Sequence, residues 1–322
     1  MSTHPPVRHV LSADQFTPDL VRFLFAHADL IRTDLDAGRP HRHAGRSLAE
    51  RVLYRLFFKE STRTYESFGF AATYLGMSVL GTQTISATSV AKGESFEDTI
   101  RTINSYDPSL IVLRTAAAGE AIKAAEISNA PIISGGDGSG EHPTQALLDL
   151  YTIQQELGRL DNLEVVFGVD PLYSRTIRSL AFMLAKFSHN RLTFVSPEPF
   201  RLEAKTKTAL QAAGATVNET DQLTDALRSA DVAYWNRFQV EHYTPEQTAY
   251  MAAHPTLRAD YALGPQQLAV LPPTARVLDP LPRVGEIAGA VDADPRAAYF
   301  RQMRYGLLTR MTVIEWVLGY LD

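Results

Sequence analysis

Short apolar runs alternate with amphipathic stretches along most of this chain. The run RVLYRLFF at 51–58 is mostly apolar and reads as a buried strand. It hands over to STRTYESFGFAATYLG at 61–76, whose spacing predicts a helix with Ser61 near its N-cap and Gly76 just past its end. SVLGT, SLIVLRT, APIISGG, LEVVFGVD, RLTFVSP, DVAYWNRF and ARVLDP read as further strands. Helical patterns fall at 95–106, 119–128, 143–158, 174–187, 202–213 and 221–229. Such alternation predicts βαβ units and parallel sheets. The expected fold is therefore α/β, with two domains, each a mainly parallel sheet flanked by helices. A Gly-rich loop, SGGDGSGE at 134–141, precedes a helix at 142–158 that carries the expected junction. The last pattern, 296–321, reads as a C-terminal helix or a broken pair, long enough to return to the first domain. The expected domains are 1–147 plus 300–322, and 148–299.

Composition narrows the class. The 322 residues are 45% hydrophobic and 21% charged, the mix of a soluble globular protein of two ordinary domains. No run approaches the ~18 apolar residues of a membrane span, and MSTHPPVRHVLS lacks the core of a signal peptide. The absence of cysteine excludes disulfides, thiolate nucleophiles and zinc–thiolate sites, and fits a cytoplasmic location. A net charge of −5 argues against nucleic acid as a general partner. It leaves room for a local basic pocket.

The polar residues gather where strands end, the side on which α/β sheets bind ligands. Ser61-Thr62-Arg63-Thr64 offers hydroxyls, a guanidinium and backbone N–H groups at a helix N-terminus, a phosphate-sized cradle. A polar N-cap beside one solvated arginine would read the same way. Arg114 closes the strand LIVLRT; His142 precedes Pro143, with Gln145 one turn in; Arg175 follows LEVVFGVD; Arg237 and Gln239 follow DVAYW; and Pro280 and Leu281 form a stiff turn with carbonyls to offer. Each alone has a structural explanation, but together they point to anion chemistry. Ser89 and Lys92, in the loop SATSVAKGESFEDT, read by themselves as exposed. The glycines of GGDGSG lack the spacing that opens a dinucleotide-binding helix, which disfavours a nicotinamide or flavin oxidoreductase.

These motifs, in order over nearly the whole chain, resemble the aspartate/ornithine carbamoyltransferase family: STRT, SVAKGESFEDTI, IVLR, GDGSGEHPTQALLDLYTI, YSRTIRSL, NRFQ, and PLPRVGEI followed by YFRQ. PLPR with Arg-x-Gln at 237–239 resembles the aspartate branch in particular. The resemblance implies carbamoyl transfer from carbamoyl phosphate to the α-amine of aspartate in pyrimidine biosynthesis, without metal or organic cofactor. It implies that Ser61, Thr62, Arg63, Thr64 and Arg114 hold phosphate in the first domain. Arg63, Thr64 and His142 would face the carbamoyl oxygen, and Gln145 and the Pro280 carbonyl its nitrogen. In the second, aspartate-binding domain, Arg175 would take the α-carboxylate, Arg237 and Gln239 the β-carboxylate, and the Leu281 carbonyl the amine. Ser89 and Lys92 would enter a neighbouring subunit's site, with Lys92 touching both substrates, so a homotrimer is expected, with a regulatory chain or pathway enzyme as a further partner. Lys59, Tyr65, Thr115, Val240, His242 and Asp279 depart from the family pattern. Carbamoyl transfer to another amino acid, or a non-catalytic homologue, are the alternatives.

Overall fold

The structure is a computed structural model that describes residues 8–41, 47–83, 89–138 and 140–321. Residues 1–7 of the N-terminal stretch, 86–88 of the Ser89–Lys92 loop and Ser139 of the Gly-rich loop lie outside the described residues. The chain divides into two compact units, Met1–Leu148 with Arg304–Asp322, and Asp149–Met303.

The first unit opens with helix α1 (Pro18–Asp36), capped by Thr17 and started by Pro18. Strand β1 (Val52–Phe57), helix α2 (Thr62–Tyr74), β2 (Ser78–Thr82), α3 (Phe96–Asn104), β3 (Leu110–Thr115), α4 (Glu120–Ile127), β4 (Ile132–Asp137) and α5 (Pro143–Leu157) follow, α5 continuing into the second unit. The strands form one parallel sheet in the order β2-β1-β3-β4. Leu56, Ile111, Leu113 and Ile132 meet Ile100 and Ile103 of α3 and Ala121 and Ala124 of α4 in a continuous apolar cluster. Burial of that cluster, rather than propensity, holds such short helices.

The second unit runs β5 (Glu164–Gly168), α6 (Arg175–Ala185), β6 (Arg191–Val195), α7 (Ala204–Ala212), β7 (Thr216–Thr220), α8 (Leu223–Leu227), β8 (Val232–Trp235), α9 (Pro245–Ala253), α10 (Leu257–Asp260), α11 (Pro265–Val270) and β9 (Arg276–Leu278). Its parallel sheet has the order β7-β6-β5-β8-β9. The last helix, α12 (Tyr299–Val317), is unbroken and joins the first unit from Arg304 onward. There Arg310 donates to Ser67 Oγ at 2.7 Å and lies over the Phe68 ring. Among the described residues, no helix is long and apolar enough to cross a membrane.

The expected alternation of strands and helices is present, with three differences. First, β7 went unexpected because TVNET is polar: it forms the sheet edge, and Val217 is its one buried residue. Second, α1, α9, α10 and α11 also went unexpected; in α1 the buried stripe Val21, Leu24, Phe25, Ala28 and Ile31 is blurred by exposed Phe23 and Leu30. Third, the strand expected over 231–238 ends at Trp235, because the Asn236 side chain turns away to bond Ser174 and Thr176.

Candidate active site

A doubly wound sheet opens a crevice at the carboxyl ends of the two strands where its order reverses. In the first unit those strands are β1 and β3, which pair directly, Phe57 opposite Arg114. The chain leaving β1 enters α2 at Ser61, whose side chain makes no cap bond and instead donates to Thr64 Oγ1 at 3.2 Å. Arg114, next to last in β3, sits at an irregularity in the pairing with β4, where the extra residue lies in β4. Bulges of this kind re-aim side chains. Arg114 is 8% exposed, and its guanidinium donates to the Gly135 carbonyl at 2.8 Å. Gly135 leaves little room beside it: a Cβ there would lie 3.3 Å from the Phe57 ring and from the Thr64 methyl.

The chain leaving β4 brings in His142, whose carbonyl accepts the first backbone bonds of α5. Its Nε2 is 3.4 Å from Thr64 Oγ1, although the residues are 78 apart in sequence. His142, Gln145, Thr64 and Arg114 are buried, while Ser61 and Arg63 are partly exposed and Thr62 is exposed. Thr115, a departure from the family pattern, donates to Asp137 Oδ1 at 2.7 Å; Asp137 also accepts from the Gly119 N–H and so ties the ends of β3 and β4 together. Tyr65, another departure, receives the Arg55 guanidinium 3.7 Å from its ring centroid. Ser89 and Lys92 stand exposed on a 3-10 turn, Ser89–Lys92, and among the described residues no hydrogen bond ties either to this cluster.

In the second unit the order reverses between β5 and β8. Arg175 begins α6 behind its N-cap Ser174, and Arg237 follows β8. Asn236 joins the two strand ends, donating to Ser174 Oγ at 2.6 Å, to Thr176 Oγ1 at 3.0 Å and through its backbone to the Gly168 carbonyl at 2.7 Å. Gly168 permits this approach, since a Cβ there would lie 2.5 Å from the Trp235 ring. Buried Asp170 accepts from the Gln239 backbone at 2.8 Å and the Tyr243 hydroxyl at 2.9 Å. Burial pushes its carboxyl up against those bonds.

Arg237 is already engaged: it donates to both oxygens of Glu241, one at 2.8 Å, and to the Phe238 carbonyl. The Arg237 guanidinium holds the Glu241 carboxyl down to about 2. Beyond β9, Asp279 accepts from the Leu281 N–H at 2.5 Å, and Gln302 accepts from the Asp279 N–H at 3.0 Å. Leu281 has φ +58°, a left-handed conformation costly for leucine. The turn's stiffness therefore comes from Asp279 and Gln302 as well as from its prolines. Asp170 and Asn236 are silent in the sequence because single polar residues at strand ends carry no periodic signal, whereas Asp279 shows there only as a departure from the family pattern.

Two parallel α/β units with hydroxyls, guanidiniums and an imidazole at the first reversal point, and guanidiniums at the second, define an enzyme class that handles small anions. Comparison with known proteins narrows the class. Residues 8–155 match the aspartate/ornithine carbamoyltransferase carbamoyl-P binding domain, and 161–317 the Asp/Orn binding domain of the same family. The chain belongs to the aspartate/ornithine carbamoyltransferase family. It is 40% identical to a chloroplastic aspartate carbamoyltransferase of Oryza sativa subsp. japonica, over 96% of this chain and 84% of that protein. The catalytic subunit of M. jannaschii aspartate transcarbamoylase is similar in structure, with TM-score 0.86, 35% identity, and 96% and 97% of the two chains covered. So is Trypanosoma cruzi aspartate transcarbamoylase in complex with carbamoyl phosphate and aspartate, with TM-score 0.87, 33% identity, and 96% and 94% covered.

Proposed function

We propose that this chain transfers the carbamoyl group of carbamoyl phosphate to the α-amine of L-aspartate, giving N-carbamoyl-L-aspartate and phosphate, as in pyrimidine biosynthesis. The amine attacks the carbonyl carbon, a tetrahedral oxyanion forms, and the C–O bond to phosphate breaks as the amine loses its proton. Chemistry of this kind needs cations for the phosphate, donors for the oxyanion and clamps for two carboxylates.

The observation that carries the reading is the gathering of Ser61, Thr64, Arg114 and His142 at the β1/β3 reversal point. Ser61, Thr62, Arg63, Thr64 and Arg114 receive the phosphate. Arg63, Thr64 and His142 stabilise the oxyanion, and Gln145 with the Pro280 carbonyl orients the carbamoyl nitrogen. Arg175 takes the α-carboxylate, Arg237 and Gln239 the β-carboxylate, and the Leu281 carbonyl the amine. Bidentate pairing explains arginine rather than lysine at the carboxylate positions. Ser89 and Lys92, exposed here, serve the site of a neighbouring copy in a homotrimer; Lys92 contacts both substrates there. A cytoplasmic location, resting on the cysteine-free composition, and a regulatory or pathway-enzyme partner belong to the same reading.

An acceptor screen with carbamoyl phosphate, following phosphate release, tests it. Aspartate is expected to be the fastest acceptor. Faster release with another amino acid would move the chain to a different acceptor, and no release with any amine would make it non-catalytic.

A further inference from the structure

Three buried ligand-type side chains of the first unit lie outside the machinery above. His27 is on α1, His41 on the segment after it, and Glu315 on α12; they are 6%, 7% and 1% exposed. His27 Nε2 lies 2.7 Å, and His41 Nε2 3.3 Å, from the same oxygen, Glu315 Oε2. One ligand atom from each residue lies within 4.8 Å of the other two. Donor atoms on a tetrahedral zinc ion, with bonds of about 2.0–2.1 Å, stand roughly 3.3 Å apart. The three side chains are therefore already near metal-binding separation.

The second observation is the orientation of His41. Its Nδ1 is 2.9 Å from Asp34 Oδ2, and the Asp34 carboxylate is also held by Arg39 at 3.0 Å. A bond from Nδ1–H to a carboxylate fixes the tautomer and turns the Nε2 lone pair inward. Among the described residues that Nε2 has no hydrogen-bond partner, although the side chain is buried. At 3.3 Å from that carboxylate oxygen, Nε2 must either carry its own proton or have a cation standing between them. A carboxylate behind an imidazole whose far nitrogen faces other ligands is the usual supporting arrangement of a metal-bound histidine.

We propose that His27, His41 and Glu315 bind one divalent ion of the zinc class, with Asp34 as the positioning residue for His41. Imidazole and carboxylate donors suit zinc and cobalt(II) rather than magnesium or calcium. The ion ties α1 and its following segment to α12, and so is structural, taking no part in carbamoyl transfer.

Chelator-stripped full-length chain is titrated with Co²⁺ as a visible probe and Zn²⁺ as competitor. The expected result is saturation at about one equivalent, with the strong visible absorption of four-coordinate cobalt, displaced by Zn²⁺. Asp34→Asn should weaken binding about 10–100-fold. Glu315→Gln and His41→Gln should weaken it at least as much, and the exposed control His254→Gln should not. Should the cluster variants fail to fold, X-ray absorption on the cobalt-loaded native chain decides: two imidazoles among the ligands support the site, and any other number overturns it. Absence of saturable binding, or equal binding by His41→Gln, also overturns it and leaves a network bridged by protons.

Discussion

The Arg237 guanidinium is held by Glu241, so under the proposed assignment the β-carboxylate would share that cation or displace Glu241. The pairing has a pH signature. Glu241 sits at about 2 against an ordinary 4.5. Its folded value is depressed, so the stability it contributes is present above about 4.5 and is lost as pH falls towards about 2. The Glu241 side-chain carboxyl carbon, followed by NMR, should remain almost wholly ionised at pH 4, where an unpaired glutamate is mostly protonated. A midpoint near 4.5 would mean the pair does not persist in solution. The pair is exposed enough that Glu241→Gln should cost no more than about 1 kcal/mol, read from urea unfolding at neutral pH. Arg63 is partly exposed at the start of α2 and is proposed to act on the transferring group. Arg63→Ala should keep the circular dichroism spectrum while turnover falls by at least about a hundredfold, the usual loss for an oxyanion donor. Near-normal phosphate release from the variant would remove it from the mechanism.

Elements of the second unit depend on two tight features. The first is the contact of β5 with β8 at Gly168, where an added methyl meets the rigid Trp235 ring. Gly168→Ala should lower stability by about 1–3 kcal/mol, an overpacking cost, and shift the ends that carry Arg175 and Arg237. Chemical denaturation together with aspartate KM checks both effects; an unchanged midpoint would show that the ring gives way. The second is a buried chain of bonds. Tyr234 of β8 donates to Asp149 of α5 at 2.8 Å, and Gln302 of α12 donates to the other Asp149 oxygen at 2.6 Å. Burial, and then Asp149, push the Tyr234 hydroxyl well above its ordinary value, so it stays a donor. Tyr234→Phe removes one bond to a buried carboxylate and should cost about 1.5–3 kcal/mol in equilibrium unfolding. A smaller loss would show that Asp149 is satisfied otherwise.

For the whole molecule, the proposed sharing of sites makes a prediction that no single chain can meet. Chains carrying Lys92→Ala and chains carrying Arg63→Ala should each be inactive alone. Refolded together they should regain activity, because a Lys92 from one chain can complete the otherwise intact site of another. A mixture as inactive as its parts would place Lys92 in its own chain's site and remove the argument for sharing. The exposed position of Lys92, which makes no side-chain hydrogen bond among the described residues, is what motivates the experiment. Much of this architecture was legible along the chain. VLYRLF and LIVLRT are apolar enough to be strands in any context, and Ser61 and Pro143 mark helix starts by their own backbone preferences. TVNET, by contrast, is a strand only because β6 lies beside it, and Asn236 ends β8 only because Ser174 is within reach. Local sequence determined the alternation of elements and the residue types at the strand ends, since hydrophobic periodicity and capping act over a few neighbours. The order of the strands, the reversal points that bring Thr64 to His142 and the meeting of His27, His41 and Glu315 were decided by tertiary structure. Contacts between residues far apart in the chain depend on packing that no local pattern encodes.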